Sequence, residues 1–113
     1  MKEIKGYILE RKLMDVTLAL HKIEGLSGMS VAKVEGFGRS RAMESFKGID
    51  TDPADYTPYV KIEIVCLDPL VDEVVNTIEK KAYTGLRGDG KIYVLNVENA
   101  VRIETGERGE DAV

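Results

Sequence analysis

The sequence predicts an α+β domain with the element order βαββαβ, in which an antiparallel sheet carries both helices on one face. Three observations lead to this prediction. Four short segments show the alternation of apolar and polar residues that is typical of strands, and two other segments have apolar residues at helical spacing. The chain has 113 residues, of which 43% are hydrophobic, which is enough for a single domain with one core.

The first half of the chain contains a strand, a helix and a second strand. Residues 2–9 alternate as a strand, and residues 11–24 have the spacing of a helix. The apolar face of this helix is made by Leu13, Val16, Ala19, Leu20 and Ile23. Gly25 and Gly28 bracket a loop where the helix stops, and residues 29–35 then form the second strand.

The second half repeats this order. Residues 59–66 are the clearest strand, with one face formed by Val60, Ile62, Ile64 and Cys66. Asp68 and Pro69 start the second helix, because proline is tolerated in a first turn. The apolar face of the second helix contains Val71, Val74, Val75, Ile78 and Ala82. Residues 91–97 form the fourth strand, and the polar tail, 104–113, is expected to be loose at its end.

This order of elements is the ferredoxin-like arrangement. Helices on one face leave the other face of the sheet open, and several side chains there are apolar. We therefore expect copies of the chain to associate.

Charge and composition limit the classes of partner. Lys and Arg number 16 and Asp and Glu 20, so the net charge of −4 argues against nucleic acid or an anionic membrane as a general partner. The start of the chain has no apolar core of signal-peptide length, and no run approaches the roughly 20 apolar residues of a membrane span. We expect a soluble, cytoplasmic protein. His21 and Cys66 are too few for a metal site; His21 is expected on the outer side of its helix and Cys66 in the core.

The connection between the second and third strands, residues 39–58, is unusually long. It lacks helical and strand periodicity, whereas connections in compact domains have a median of about 4–6 residues. It is either a tolerated insertion or a mobile loop that binds a partner. For a partner-binding loop, the basic root would be Arg39 and Arg41, and the exposed anchors would be Met43, Phe46, Ile49 and Tyr56.

A second loop, RGDGK at 87–91, is rich in glycine. A plain turn explains much of it, because Asp89-Gly90 is a good turn pair and Gly88 can adopt a positive φ. Another glycine cluster, Gly36-Phe37-Gly38-Arg39, closes the second strand, and the two clusters can lie on the same side of a ferredoxin-like sheet. Backbone N–H groups from both turns would suit the phosphates of a nucleotide, with cations supplied by Lys91, Arg39 and Arg102.

The same segments show that the chain resembles the PII nitrogen-regulatory signal-transduction family. The likeness covers essentially the whole length: MKEIKGYI, GMSVAKVEGFGR, VKIEIV, TGLRGDGKIYV and AVRIETGE stand in the family's order and spacing. The resemblance implies a homotrimer with ATP or ADP in the clefts between subunits. It also implies that residues 39–58 are the T-loop, which docks onto a target enzyme, transporter or transcription factor.

The resemblance assigns roles to individual residues. It implies that the phosphate side is lined by Gly36, Phe37, Gly38 and Arg39, and that the phosphates are held by Gly88, Asp89, Gly90 and Lys91. Arg102 would reach in from the neighbouring subunit. Adenine and ribose contacts, mostly through the backbone, would come from Ser30, Glu63 and Val65.

Four positions depart from the family's pattern. Ser40 replaces a glutamine that helps to hold Mg²⁺ and 2-oxoglutarate, and Tyr59 replaces a lysine that pairs with a 2-oxoglutarate carboxylate, which argues against that response. Asp52 stands in place of the tyrosine that many relatives uridylylate, so this modification is not expected. Glu104 replaces the second arginine of an RxR pair, and we hypothesise that the preferred nucleotide is ADP or AMP.

The sequence leaves several alternatives. The main one is a PII-like regulator outside nitrogen control, in metal efflux or inorganic carbon uptake. An acylphosphatase-type enzyme would need an asparagine beside an N-terminal arginine loop, and none of Asn76, Asn96 and Asn99 is placed for this. An RNA-binding sheet would need more surface aromatics than Tyr93 and a basic surface, and a metal-binding trimer would need more soft ligands. We therefore expect a regulator and not an enzyme, with nitrogen regulation as the first choice.

Overall fold

A computed structural model describes residues 1–36 and 57–113. The strands are β1 (Lys2–Leu9), β2 (Ser30–Gly36), β3 (Thr57–Cys66) and β4 (Gly90–Asn96). The helices are α1 (Leu13–His21) and α2 (Val71–Ala82). Short 3-10 turns precede both helices, at Glu10–Lys12 and Asp68–Leu70, and the latter has Pro69 in its first turn, where the sequence predicts it.

The four strands form one antiparallel sheet in the order β2-β3-β1-β4. Both helices pack on one face of this sheet and against each other, which confirms the ferredoxin-like prediction. The strands Ser30–Gly36 and Gly90–Asn96 are each shifted by one residue from the predicted bounds. The helix predicted at 11–24 is shorter than expected, because its first residues belong to the 3-10 turn and the chain leaves the helix after His21.

One core lies between the sheet and the helices. Its fully buried side chains come from β1, β3 and both helices: Ile4, Ile8, Val60, Ile62, Ile64, Cys66, Val16, Val74 and Ile78. Cys66 is in the core and His21 is exposed, as predicted, and burial raises the pKa of the Cys66 thiol. The alternation of apolar residues in the third strand thus gives the correct face of the sheet.

The other face of the sheet carries charged and aromatic side chains. The Lys61 ammonium lies 3.0 Å from the Glu63 carboxylate, and this hydrogen bond raises the pKa of Lys61 and lowers the pKa of Glu63. Tyr7 and Tyr93 form an edge-to-face pair with centroids 6.1 Å apart. Half-buried and apolar groups also lie on this face. That other copies of the chain cover it stays a prediction.

The tail has more regular structure than the sequence predicts. Val101 and Arg108 form an antiparallel bridge, and the Arg102 N–H donates to the Glu107 carbonyl at 2.9 Å. A 3-10 turn follows at Gly109–Ala112. The bridge fixes the backbone of Arg102 close to the end of β4, so this residue has a definite place in the fold.

Several predicted residues fall outside the described part of the chain. They are Phe37, Gly38, Arg39, Ser40, Arg41, Met43, Phe46, Ile49, Asp52 and Tyr56. Within residues 1–36 and 57–113, no helix is long and apolar enough to cross a membrane.

Candidate functional site

The glycine loop, residues 83–91, connects α2 to β4 and turns at its glycines. Gly88 has φ +87° and Gly90 has φ +105°, whereas Asp89 between them has a negative φ. This confirms the positive φ predicted for Gly88. Alternating signs of φ at consecutive residues are the geometry of a backbone nest, in which successive N–H groups point to one side and can bind an anion. Gly88, Asp89 and Gly90 therefore show the sign pattern of φ that such a nest has.

The Asp89 side chain is hydrogen-bonded to another residue of the same loop. Its carboxylate accepts hydrogen bonds from the Thr84 N–H at 2.8 Å and from the Thr84 hydroxyl, which itself accepts from the Leu86 N–H at 3.1 Å. The Thr84 hydroxyl is the main cause of the lowered pKa of Asp89. Because these bonds engage both carboxylate oxygens, Asp89 offers a phosphate its backbone N–H and not its side chain.

Replacing Thr84 by valine should loosen this arrangement at neutral pH. The free energy of unfolding is expected to fall by about 1–2 kcal/mol at pH 7, since a hydrogen bond to a charged group is lost. A depressed folded-state pKa adds stability above the unfolded value of about 3.9, and this stability is lost as the pH falls through the folded value. The difference between variant and parent should therefore shrink in acid.

Urea denaturation at pH 7 and at about pH 3 measures both quantities. Thr105→Val is the matched control, because the Thr105 hydroxyl donates to Glu107 at 2.8 Å in an exposed turn, where the effect should stay under about 0.5 kcal/mol. An equal loss for Thr84→Val at both pH values would contradict the role of the Asp89 carboxylate.

A tyrosine from another strand also contacts the loop. Tyr59 lies on the open face of β3 and donates its hydroxyl to the Gly88 carbonyl at 2.8 Å. A Cβ placed on Gly36 would lie 4.0 Å from the Tyr59 ring. This one side chain therefore lies beside both Gly36 and the glycine loop.

These groups form the first cavity, of about 530 Å³, at the end of the sheet where β2 finishes and β4 begins. It is lined by Gly36, Gly90 and Lys91, with Tyr7, Val34, Glu35, Tyr59 and Tyr93. The prediction that the two glycine clusters lie on one side of the molecule is confirmed for Gly36 and the glycine loop. Tyr7, Glu35 and Tyr93 were not predicted as part of this site, although strand alternation places Tyr93 on the same face as Lys91.

The second cavity, of about 670 Å³, lies at the opposite end of the open face. It brings together four of the residues carried over from the resemblance, namely Ser30, Glu63, Val65 and Arg102. Ser30 pairs with Glu63 across β2 and β3, and the bridge in the tail places Arg102 next to them.

The two cavities lie apart along the open face of the sheet and hold different residues. On β3, Tyr59 lines the first cavity and Glu63 lines the second, a separation of four residues, about 13 Å at about 3.3 Å per residue. Lys91 begins β4 and Arg102 follows its end, so within one chain the two cations lie in different cavities. That Arg102 adds a cation to the phosphate site, and that it does so from a neighbouring subunit, both stay predictions.

Other candidate groups have structural contacts. Asn96 accepts a hydrogen bond from the Lys2 ammonium, and Asn99 accepts one from the Gly109 N–H at 3.1 Å, so both amide oxygens are engaged within the fold. Among the described residues, no group of three or more His, Cys, Asp or Glu side chains could hold a metal ion.

The chain is similar in sequence to several known proteins. A sequence profile described as Nitrogen regulatory protein P-II matches residues 1–107. Proteins named Nitrogen regulatory protein P-II from Rhodospirillum rubrum and Haemophilus influenzae are each 46% identical to the chain over 114 residues. Nitrogen regulatory protein P-II 1 from Escherichia coli is 45% identical. In all three cases the alignment covers 100% of both chains.

Proposed function

The chain belongs to the family of nitrogen regulatory proteins P-II, and we propose that it is a homotrimeric signal-transduction regulator that binds ATP or ADP between subunits. The observation that carries this proposal is the separation of the two cavities, because each holds only part of the residues that a nucleotide needs. In a ring of identical subunits, the first cavity of one chain faces the second cavity of its neighbour. Neither half is sufficient alone.

The two cavities offer different chemical groups, and together these groups suit a nucleotide. The first cavity offers the N–H groups of the glycine loop and the Lys91 ammonium, which hold phosphates as a nest and a point charge. The second offers the Arg102 guanidinium for a bidentate contact, and the backbone of Ser30 and Val65 for the ribose and base. The open sheet face lies against the other copies in this arrangement.

The regulator acts on its target without catalysis. Nucleotide occupancy shifts the equilibrium between conformations that differ in affinity for the target, typically by about 1–3 kcal/mol in coupled sites. We assign target binding to residues 39–58 on the resemblance alone, and the target to an enzyme or transporter of nitrogen metabolism on the family membership.

The charges around the cavities favour a nucleotide with fewer phosphates. Glu35 lines the first cavity beside Lys91, and Glu104 follows Arg102 by two residues. Both carboxylates lower the positive potential that a third phosphate would require. We therefore propose that ADP or AMP binds at least as well as ATP.

A second candidate function is nucleotide sensing outside nitrogen control, and Tyr59 favours it. This residue carries no cation, and its hydroxyl is bonded to the Gly88 carbonyl, so it offers no charge to a 2-oxoglutarate carboxylate. The second candidate keeps the nucleotide sites and the trimer but changes the target.

Calorimetric titration with ATP, ADP and AMP, each with and without Mg²⁺ and 2-oxoglutarate, tests these proposals. We expect ADP or AMP to match ATP, and 2-oxoglutarate to change each affinity by less than about threefold. A matched variant, Ser40→Gln with Tyr59→Lys, restores the two family residues and should make nucleotide binding depend on 2-oxoglutarate, although loss of the Tyr59 hydroxyl lowers the nucleotide affinity itself. If ATP binds at least about tenfold more tightly than ADP, the proposed preference for ADP or AMP is contradicted. Absence of binding by all three nucleotides would contradict the function itself.

A further inference from the structure

The hydrogen bond between Tyr59 and Gly88 has a role beyond packing. We propose that Tyr59 is a positioning residue, which holds the glycine loop in its anion-binding conformation before any ligand binds. The ligand of the loop, a nucleotide phosphate, rests on the proposed function, but the effect on the loop is measurable without a ligand. Tyr59 stands where the family has a lysine, and in this chain the side chain at that position attaches the glycine loop to β3.

The geometry of the peptide group explains how one hydrogen bond can do this. In a trans peptide the carbonyl and the next N–H point in opposite directions. The bond from the Tyr59 hydroxyl to the Gly88 carbonyl at 2.8 Å therefore also fixes the direction of the Asp89 N–H, which points away from the tyrosine. This N–H is one of those that the nest presents to an anion.

The bond acts where the backbone is least restrained by its own sterics. Gly88 has φ +87°, and glycine has access to more of φ/ψ space than any other residue, so the peptide after it is free to rotate in the absence of a contact. Tyr59 reaches this point from β3, a central strand of the sheet, 29 residues away in sequence. The donor is thus attached to the rigid part of the fold.

Two contacts together hold the loop at Asp89. Tyr59 fixes the peptide before Asp89, and Thr84 fixes its side chain. A loop ordered in advance loses less conformational entropy when it binds, so its affinity for a phosphate is higher than that of a loop that must first become ordered.

A purely structural contact would behave differently. If the Tyr59 ring only covers the sheet, removing its hydroxyl leaves the order of the loop and its affinity unchanged, because phenylalanine keeps the ring. If the hydroxyl positions the loop, the same change mobilises Gly88 and Asp89 while the rest of the sheet stays rigid.

The test compares Tyr59→Phe with Thr105→Val and the parent protein, using backbone ¹⁵N relaxation without nucleotide followed by calorimetry with ADP. The Thr105 hydroxyl donates to Glu107 in an exposed turn and lines neither cavity, so its removal serves as the control. We expect order parameters of about 0.85 at Gly88 and Asp89 in the parent, and below about 0.6 in Tyr59→Phe. ADP affinity should fall roughly three- to tenfold in Tyr59→Phe and stay unchanged in Thr105→Val.

The outcomes separate this proposal from the function on which it rests. Unchanged order parameters in Tyr59→Phe would overturn the positioning role, whatever the affinities. A mobile loop that binds ADP as tightly as the parent would also overturn it. A third outcome is a loop that becomes mobile in Tyr59→Phe while even the parent protein binds no nucleotide. That result would support the positioning role of Tyr59 and contradict the nucleotide site.

Discussion

Replacing Gly90 by alanine is expected to lower the free energy of unfolding by about 4 kcal/mol, at the upper end of what a single substitution costs. An alanine Cβ would lie 1.7 Å from the Tyr7 carbonyl oxygen and 2.8 Å from its carbon. These atoms belong to the backbone of β1, which is paired on both sides, so they have no room to move. The φ of +105° adds a cost of about 1–3 kcal/mol for any residue with a Cβ.

The chain offers a control that separates the two costs. Gly106 has φ +75° but no atom within 4 Å of the position of an added Cβ, so Gly106→Ala has the backbone cost without the collision. Urea denaturation of both variants measures the difference. Equal losses for Gly90→Ala and Gly106→Ala would show that the close approach to β1 is not what requires glycine at position 90.

Replacing either Lys91 or Arg102 by alanine is expected to weaken nucleotide binding by about 30- to 100-fold. In the proposed site each cation makes charge-assisted contacts to phosphate, which contribute about 2–3 kcal/mol when the partner is an anion. Both losses should be of similar size although the two side chains lie in different cavities of the same chain. Calorimetric titration with ADP measures them.

Lys33→Ala is the control for the loss of a positive charge. Lys33 lies on β2, is exposed and pairs with Glu10 at 3.4 Å, outside both cavities. Its removal should change the ADP affinity by less than about twofold. A similar small effect for Lys91→Ala or Arg102→Ala would remove that residue from the nucleotide site.

The sequence predicts much of the fold because the signals for it are local. The alternation in residues 59–66 identifies the third strand and its buried face, and helical spacing identifies the buried residues of both helices. The exact ends differ, because Glu10–Lys12 forms a 3-10 turn that periodicity does not distinguish from an α-helix.

The site is less predictable because it depends on register. Lys91 and Arg102 are only eleven positions apart in sequence, but Lys91 begins β4 whereas Arg102 lies beyond its end, beside Ser30 and Glu63, a neighbourhood that becomes clear only when the pairing of the strands is known. The bond from Tyr59 to Gly88 spans 29 residues, and nothing in either local pattern indicates it. The glycine loop itself was predictable, since Gly88 and Gly90 have the positive φ that their residue type allows.

The contact between Thr84 and Asp89 shows another limit of sequence reasoning. The turn pair Asp89-Gly90 suggests a phosphate-binding or turn-forming role for both residues, but it does not show that the carboxylate binds Thr84 within the loop. A threonine five residues before an aspartate is too common a pattern to predict such a bond by itself.

Mixed oligomers test most directly the central claim, that each nucleotide site is shared by two chains. Lys91→Ala and Arg102→Ala chains are unfolded, combined in equal amounts and refolded, and ADP binding is measured by calorimetry beside each variant refolded alone. Each variant alone should bind weakly. In random trimers, about one quarter of the sites join an intact glycine loop to an intact Arg102, so about one quarter of the parent's tight sites should return. If the mixture regains no tight sites, both residues act within one chain, and the shared site is wrong.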